Sequence, residues 1–110
     1  MEGVLDRVEV SADDARSLQF EAGSFDVVVS NFVVHEMDTK AERETMLREI
    51  VRVLRPGGRV ALVDFVFTGE CVKLLRAHGL ADADRDPIGS LPLLTLGLLR
   101  AYRVTGTKPA

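Results

Sequence analysis

Two clusters in this 110-residue chain gather side chains able to do chemistry. One is Ser30-Asn31 with His35-Glu36 just beyond it; the other is Asp13-Asp14. An imidazole titrates near neutrality, so His35 suits a general base or a group that orients a substrate. A polar residue at a pocket rim is the plainer alternative. Ser30 and Asn31 supply neutral donors and acceptors. Asp13 and Asp14 could accept hydrogen bonds at a strand end, or simply close a turn or cap a brief helical turn. Asp64 either faces the same crevice as Asn31 or is solvated at the end of its strand. A metal site is not expected: no second histidine follows His35-Glu36 at helical spacing, and Cys71 is the only cysteine, so no ligand cluster forms. There is no P-loop, no Gly-x-Ser-x-Gly elbow and no Gly-x-Gly-x-x-Gly, which disfavours a nucleotide-binding oxidoreductase.

The element that must position these groups is Phe25-Asp26-Val27-Val28-Val29-Ser30-Asn31. Three consecutive valines cannot alternate between core and solvent, so both faces need cover and the segment reads as a central strand of a parallel sheet. Ligands of open α/β sheets sit beyond the carboxyl ends of such strands, which directs attention to Ser30 through Met37. Residues 32–37 read as loop or a short helical turn. Thr39-Lys40-Ala41-Glu42 matches a capping box. The run that follows places Leu47, Ile50, Val51 and Leu54 at helical spacing, with Arg43, Glu44, Arg48 and Arg52 mostly off that stripe. Arg55-Pro56-Gly57-Gly58 closes the helix with a turn. Arg59 through Phe65 is then a second interior, parallel strand, completing a right-handed βαβ unit.

The flanks are shorter. Arg7-Val8-Glu9-Val10 alternates as a brief strand, and residues 11–16 form a loop. Phe20 to Ser24 is a turn, with Gly23 free to take positive φ. Glu70 to His78 reads as a short helix stopped by Gly79. Residues 80–88 carry little pattern. Leu91–Leu99 is apolar but broken by Pro92 and Gly97, and reads as a helix, a loop packed on the sheet or an oligomer contact. Arg100 to Gly106 reads as a terminal strand.

Composition narrows the classes. Apolar residues make up 46% of the chain, enough for one folded domain. The formal net charge is −3, from 14 basic and 17 acidic residues without a basic block, which argues against a nucleic-acid partner. A lone cysteine excludes an internal disulfide and suits a reducing compartment. The first residues have no signal-peptide pattern, and residues 91–99 are too few to span a bilayer as a helix. A cytoplasmic protein is expected.

Asp14-Ala15-Arg16-Ser17-Leu18-Gln19-Phe20, Gly23-Ser24-Phe25-Asp26-Val27-Val28-Val29-Ser30-Asn31, His35, and Glu49-Ile50-Val51-Arg52-Val53-Leu54-Arg55-Pro56-Gly57-Gly58-Arg59 occur in order. In motifs and gaps the chain resembles class I S-adenosylmethionine-dependent methyltransferases, nearest the subgroup of ubiquinone and menaquinone C-methyltransferases. The likeness runs from about Arg7 to Phe65; the tail Val104-Thr105-Gly106-Thr107-Lys108-Pro109 is similar to that family's last strand, more weakly. The resemblance implies an α/β, Rossmann-like fold with a mostly parallel sheet and flanking helices, and methyl transfer to a small-molecule or lipid-like acceptor. It also implies site residues: Asp14 at the adenine amino group with the Ala15 amide beside it, Ser30, Asn31 and Phe32 lining the cofactor, and His35 facing the substrate. Gln19 stands where the family commonly has proline.

In the family, the first strand, its glycine-rich loop and the acidic residue closing the second strand precede the Asp-Ala pair, and here thirteen residues do. Residues 1–110 are therefore expected to form a single partial domain, truncated on the N-terminal side. Loss of two charged hydrogen bonds, about 1.5–3 kcal/mol each, moves a micromolar cofactor site to roughly 0.1–30 mM, so the isolated chain should bind S-adenosylmethionine poorly or not at all. The Phe25–Asn31 strand, deprived of its family neighbour, must pair with Arg7–Val10, pair with another chain or aggregate; a homodimer or a partner supplying strands is favoured. The competing expectation is a non-catalytic assembly module.

Overall fold

A computed structural model describes residues 6–11, 17–90 and 100–110. The described chain forms β1 (Arg7–Glu9), β2 (Phe25–Asn31), a single 3-10 turn (Val34–Glu36), α1 (Lys40–Val53), β3 (Leu54–Asp64), α2 (Thr68–Ala77), β4 (Asp84–Ser90) and β5 (Arg100–Thr107). The five strands make one sheet in the order β1-β2-β3-β5-β4. β1, β2 and β3 run parallel, with Val28 opposite Val8 on one side and Val60 on the other. β5 lies antiparallel between β3 and β4. The valine-rich β2 is interior, as its pattern requires, and its outer neighbour is the chain's own β1. β3 is interior too, parallel to β2 and antiparallel to β5.

Helix α1 begins where the capping box places it: the Thr39 hydroxyl accepts the Glu42 amide at 3.1 Å, satisfying one of the free donors of the first turn. Met46, Leu47, Ile50 and Val53 are fully buried and join Val28, Val60, Leu62, Leu75 and Val104 in one core. The sheet is thus covered by α1 and α2 on the face that carries its even-numbered β2, β3 and β5 residues. The strand resumes directly at Leu54, so Arg55-Pro56-Gly57-Gly58 is not a separate turn but the irregular start of β3, with the register against β2 shifted between Phe25 and Val27. Lys108 closes the helix end by donating from Nζ to the Val51 and Leu54 carbonyls at 2.9 and 2.7 Å.

α2 ends as expected at Gly79, whose φ is +99°. The Leu80 amide donates to the Leu75 carbonyl and the Gly79 amide to the Arg76 carbonyl, the two bonds of a Schellman cap with buried Leu75 and Leu80 as its apolar pair. β4 is the strand that the weak pattern of residues 80–88 concealed: its side chains from Asp84 to Ile88 are exposed, so no alternation marks it. The apolar stretch Leu91–Leu99 lies outside the described residues.

Candidate functional site

Parallel pairing brings the carboxyl ends of β2 and β3 side by side, with Asn31 opposite Val63. The Phe32 amide donates to the Val63 carbonyl at 2.7 Å, and the chain then turns through the 3-10 segment that carries His35. Across from it, Asp64 closes β3. The His35 amide donates to Asp64 Oδ2 at 3.0 Å and the ring Nδ1 lies 3.2 Å from the same oxygen. The Phe65 amide donates to Oδ1 at 2.7 Å. Asp64 is fully buried while the His35 side chain is about a third exposed. This corrects the expectation of a solvated or crevice-facing Asp64: both of its oxygens are taken up by the protein, which is what makes burial of a carboxyl tolerable.

That arrangement sets the histidine's tautomer. An ionised carboxylate only accepts hydrogen bonds, so Nδ1 carries the proton and Nε2 is left as the acceptor. An imidazole oriented in this way by a buried carboxylate is chemically able to accept a proton from a hydroxyl. The ring is further steadied by stacking on Phe65, 5.2 Å between centroids with planes 26° apart.

A second buried pair holds the two loops together. Arg43, read from sequence as part of the polar face of α1, is only 7% exposed. It forms an ion pair with Glu70 on α2 through Nε and Nη2, donates from Nη1 to the Met37 carbonyl at 3.1 Å, and lies 3.7 Å from the centre of the Phe67 ring. The loop bearing His35 and the loop leaving β3 are therefore tied to both helices by one guanidinium. Cys71, beside this pair, is no nucleophile: burial, then the Glu70 and Asp64 carboxylates, push its thiol up to about 12, so the thiolate is absent near neutrality.

Of the sequence candidates, Asp14 and Ala15 lie outside the described residues. Ser30 is fully buried and its hydroxyl has no hydrogen-bond partner. Asn31 is exposed at the strand end, and the Phe32 ring is 40% exposed. Ser30, Asn31, Phe32 and His35 thus share one end of the sheet. Asp64 and Arg43 were not selected from sequence as site residues. For Asp64 a signal existed, since it shares the parity of Val60 and Leu62, the buried face of β3. Among the described residues, no group of three or more His, Cys, Asp or Glu side chains is placed to hold a metal ion. A groove of about 430 Å³ lies apart from the site, against the sheet and lined by Val27, Arg59, Asp82, Asp86, Arg103 and Thr105 among others; it contains no histidine.

Comparison with known proteins identifies the family. A family model described as a methyltransferase domain matches residues 2–62, and the chain belongs to that family of S-adenosylmethionine-dependent enzymes, as its motifs implied. It is 40% identical over 68 residues to the methyltransferase GfsG of Streptomyces halstedii, covering 62% of this chain and 23% of that protein. It is 33% identical over 63 residues to the ubiquinone/menaquinone biosynthesis C-methyltransferase UbiE of Idiomarina loihiensis, covering 57% and 24%. Its fold matches the Burkholderia thailandensis 1,6-didemethyltoxoflavin-N1-methyltransferase, solved with that compound and S-adenosylhomocysteine. The TM-score there is 0.63 at 21% identity, over 86% of this chain and 48% of that one. The chain therefore spans about a quarter of the length of those two curated relatives and about half of that structure.

Proposed function

We propose that these residues form the acceptor-side portion of a methyltransferase that modifies a small-molecule or lipid-like acceptor, with His35 as the base and Asp64 as the group that orients it. The observation that carries this reading is the His35–Asp64 pair at the adjoining carboxyl ends of two parallel strands. The residues present fit the cofactor at the end of β2, where the buried Ser30 hydroxyl has an unspent hydrogen bond and the Asn31 side chain is exposed. By family resemblance Asp14 and the Ala15 amide would hold the adenine, and the Ser30–Phe32 turn the rest of the near side. Bound S-adenosylmethionine supplies an electrophilic methyl group, whose transfer breaks a carbon–sulfur bond and leaves the electron pair on sulfur. His35 receives the acceptor's proton on Nε2, and Asp64 stabilises the imidazolium that results. Holding the partners in geometry does most of the remaining work.

Affinity of the 110 residues alone for the cofactor is expected in the millimolar range, because they contain no Gly-x-Gly-x-x-Gly motif. The cytoplasm is the proposed compartment, on the single, buried, free Cys71. Calorimetric titration with S-adenosylhomocysteine tests the reading: weak binding that disappears in Asp14→Ala supports it, and binding left unchanged by Asp14→Ala rejects it. A second reading, a non-catalytic assembly module, is favoured by the face of the sheet opposite the helices. Val27, Val29, Ala61 and Val63 line that face half-buried, and among the described residues no helix packs on it. A homodimer, or a partner chain, covering this face is proposed on that ground.

A further inference from the structure

Arg43 breaks two local rules. It is a cation close behind the Thr39 cap of α1, at the end of a helix where the dipole favours anions. It is also buried, although arginine seldom is and a charge taken out of water is costly. Stability does not account for it, because a buried ion pair is often replaced by apolar side chains of similar volume without loss.

What the guanidinium does is join two points that flank the His35–Asp64 pair. Its Nη1 donates to the Met37 carbonyl at 3.1 Å, and the Met37 amide closes the turn carrying His35 by donating to the Val34 carbonyl at 3.0 Å. Its flat face lies on the ring of Phe67, which follows Asp64 on the segment leaving β3. Phe67 needs such a hold: its φ is +60°, a left-handed conformation in which Cβ crowds the following carbonyl. Nε and Nη2 are fixed in turn by Glu70 in the first turn of α2. Among the described residues, none of the hydrogen bonds of Arg43 goes to His35 or Asp64.

We infer that Arg43 is a positioning residue for the imidazole. Strand pairing sets the near ends of the two segments, and the Arg43–Glu70 clasp sets them again as they leave the sheet. The His35 ring contact, at 3.2 Å, is at the long end of N–H···O hydrogen bonds, so loosening either segment breaks it. A planar fork meets a carboxylate, a carbonyl and a ring at once, where an ammonium offers a point charge. The inference rests on the reading of His35 as the base and deepens it by naming the group that holds that base to its carboxylate.

The test is the double variant Arg43→Met/Glu70→Met in the full chain, which removes both charges and keeps the volume. Its Tm should equal or exceed that of the native chain. Its His35 ring nitrogens should show both tautomers, where the native ring shows the Nδ1-protonated form alone. Its His35 amide should exchange about tenfold faster relative to amides of the α1 interior. Val51→Ala, which trims a core neighbour on the same helix, should lower Tm and leave the tautomer as it is, so a lost tautomer is not lost stability. Should the double variant fail to fold, Arg43→Lys, which keeps the charge but not the fork, is read in the same way. An unchanged tautomer in the folded clasp variant, or the same tautomer change in Val51→Ala, overturns the proposal. A native ring already divided between tautomers overturns both this proposal and the base reading. The cofactor titration reports separately: if it rejects methyl transfer, a tautomer that depends on the clasp still supports the positioning role.

Discussion

At the scale of single residues, the site depends on a buried carboxylate whose partners are all fixed. Asp64 accepts from the His35 amide, the His35 ring and the Phe65 amide, so Asp64→Leu leaves three donors without it. We expect a loss of about 2–4 kcal/mol in urea denaturation, since each unsatisfied buried donor costs on the order of 1–3 kcal/mol and some will find water. The milder Asp64→Asn should leave the fold in place and disturb the tautomer instead. Nitrogen shifts of His35 in the native protein should show a protonated Nδ1 and a bare Nε2, and the variant a mixture of tautomers. An unchanged tautomer would mean that Asp64 does not orient the ring. From sequence, the chemical character of His35 was legible because an imidazole declares its own chemistry. Its partner was not, because Asp64 lies twenty-nine residues away and only strand pairing brings it close.

At the scale of elements, α1 does more than cover the sheet. Glu49 accepts the Leu18 amide at 3.0 Å, and Arg52 donates to the Leu18 and Phe20 carbonyls at 3.0 and 2.8 Å, so the loop ahead of β2 is pinned to the helix. The hydrogen bond from Arg52 holds the Glu49 carboxyl below its ordinary value of 4.5, with the Leu18 amide contributing. A depressed carboxyl supports the folded loop fully above its ordinary value and loses that support as pH falls through the lowered one. Exchange of the Leu18 amide should therefore quicken, relative to amides of the α1 interior, only below about pH 4.5, and Glu49→Gln should abolish that pH dependence.

The junction of α1 and β3 makes a sharper demand. A Cβ on Gly58 would stand 2.8 Å from the Arg55 carbonyl oxygen and 3.0 Å from that of Asp26, both backbone atoms. Gly58→Ala is expected to cost about 2–4 kcal/mol, read as a fall in the denaturation midpoint. A change under about 0.5 kcal/mol would show that the junction can yield.

At the scale of the whole molecule, the sheet is asymmetric among the described residues. One face is sealed by α1 and α2; the other presents Val27, Val29, Ala61 and Val63 between Arg7 and Glu9 on β1 and Arg103 and Thr105 on β5. Interior parallel strands ordinarily have both faces covered, and an apolar centre with a charged rim is the usual composition of an interface. Sedimentation at tens of micromolar should show association that Val29→Lys abolishes without loss of secondary structure. A monomer at all concentrations would set the assembly reading aside. Among the described residues no helix is long and apolar enough to cross a membrane.

What the chain determined by itself was local: the run of valines, the capping box, the 3.6-residue stripe and the glycine stops named β2, α1, β3 and α2, because each of those patterns lies within a few consecutive residues. The tertiary structure decided everything that depends on a neighbour distant in sequence. It paired β1 with β2, inserted β5 antiparallel between β3 and β4, turned Arg43 inward to Glu70 and set Asp64 against His35. Periodicity reports which way a side chain faces, and only the folded sheet decides what it meets there.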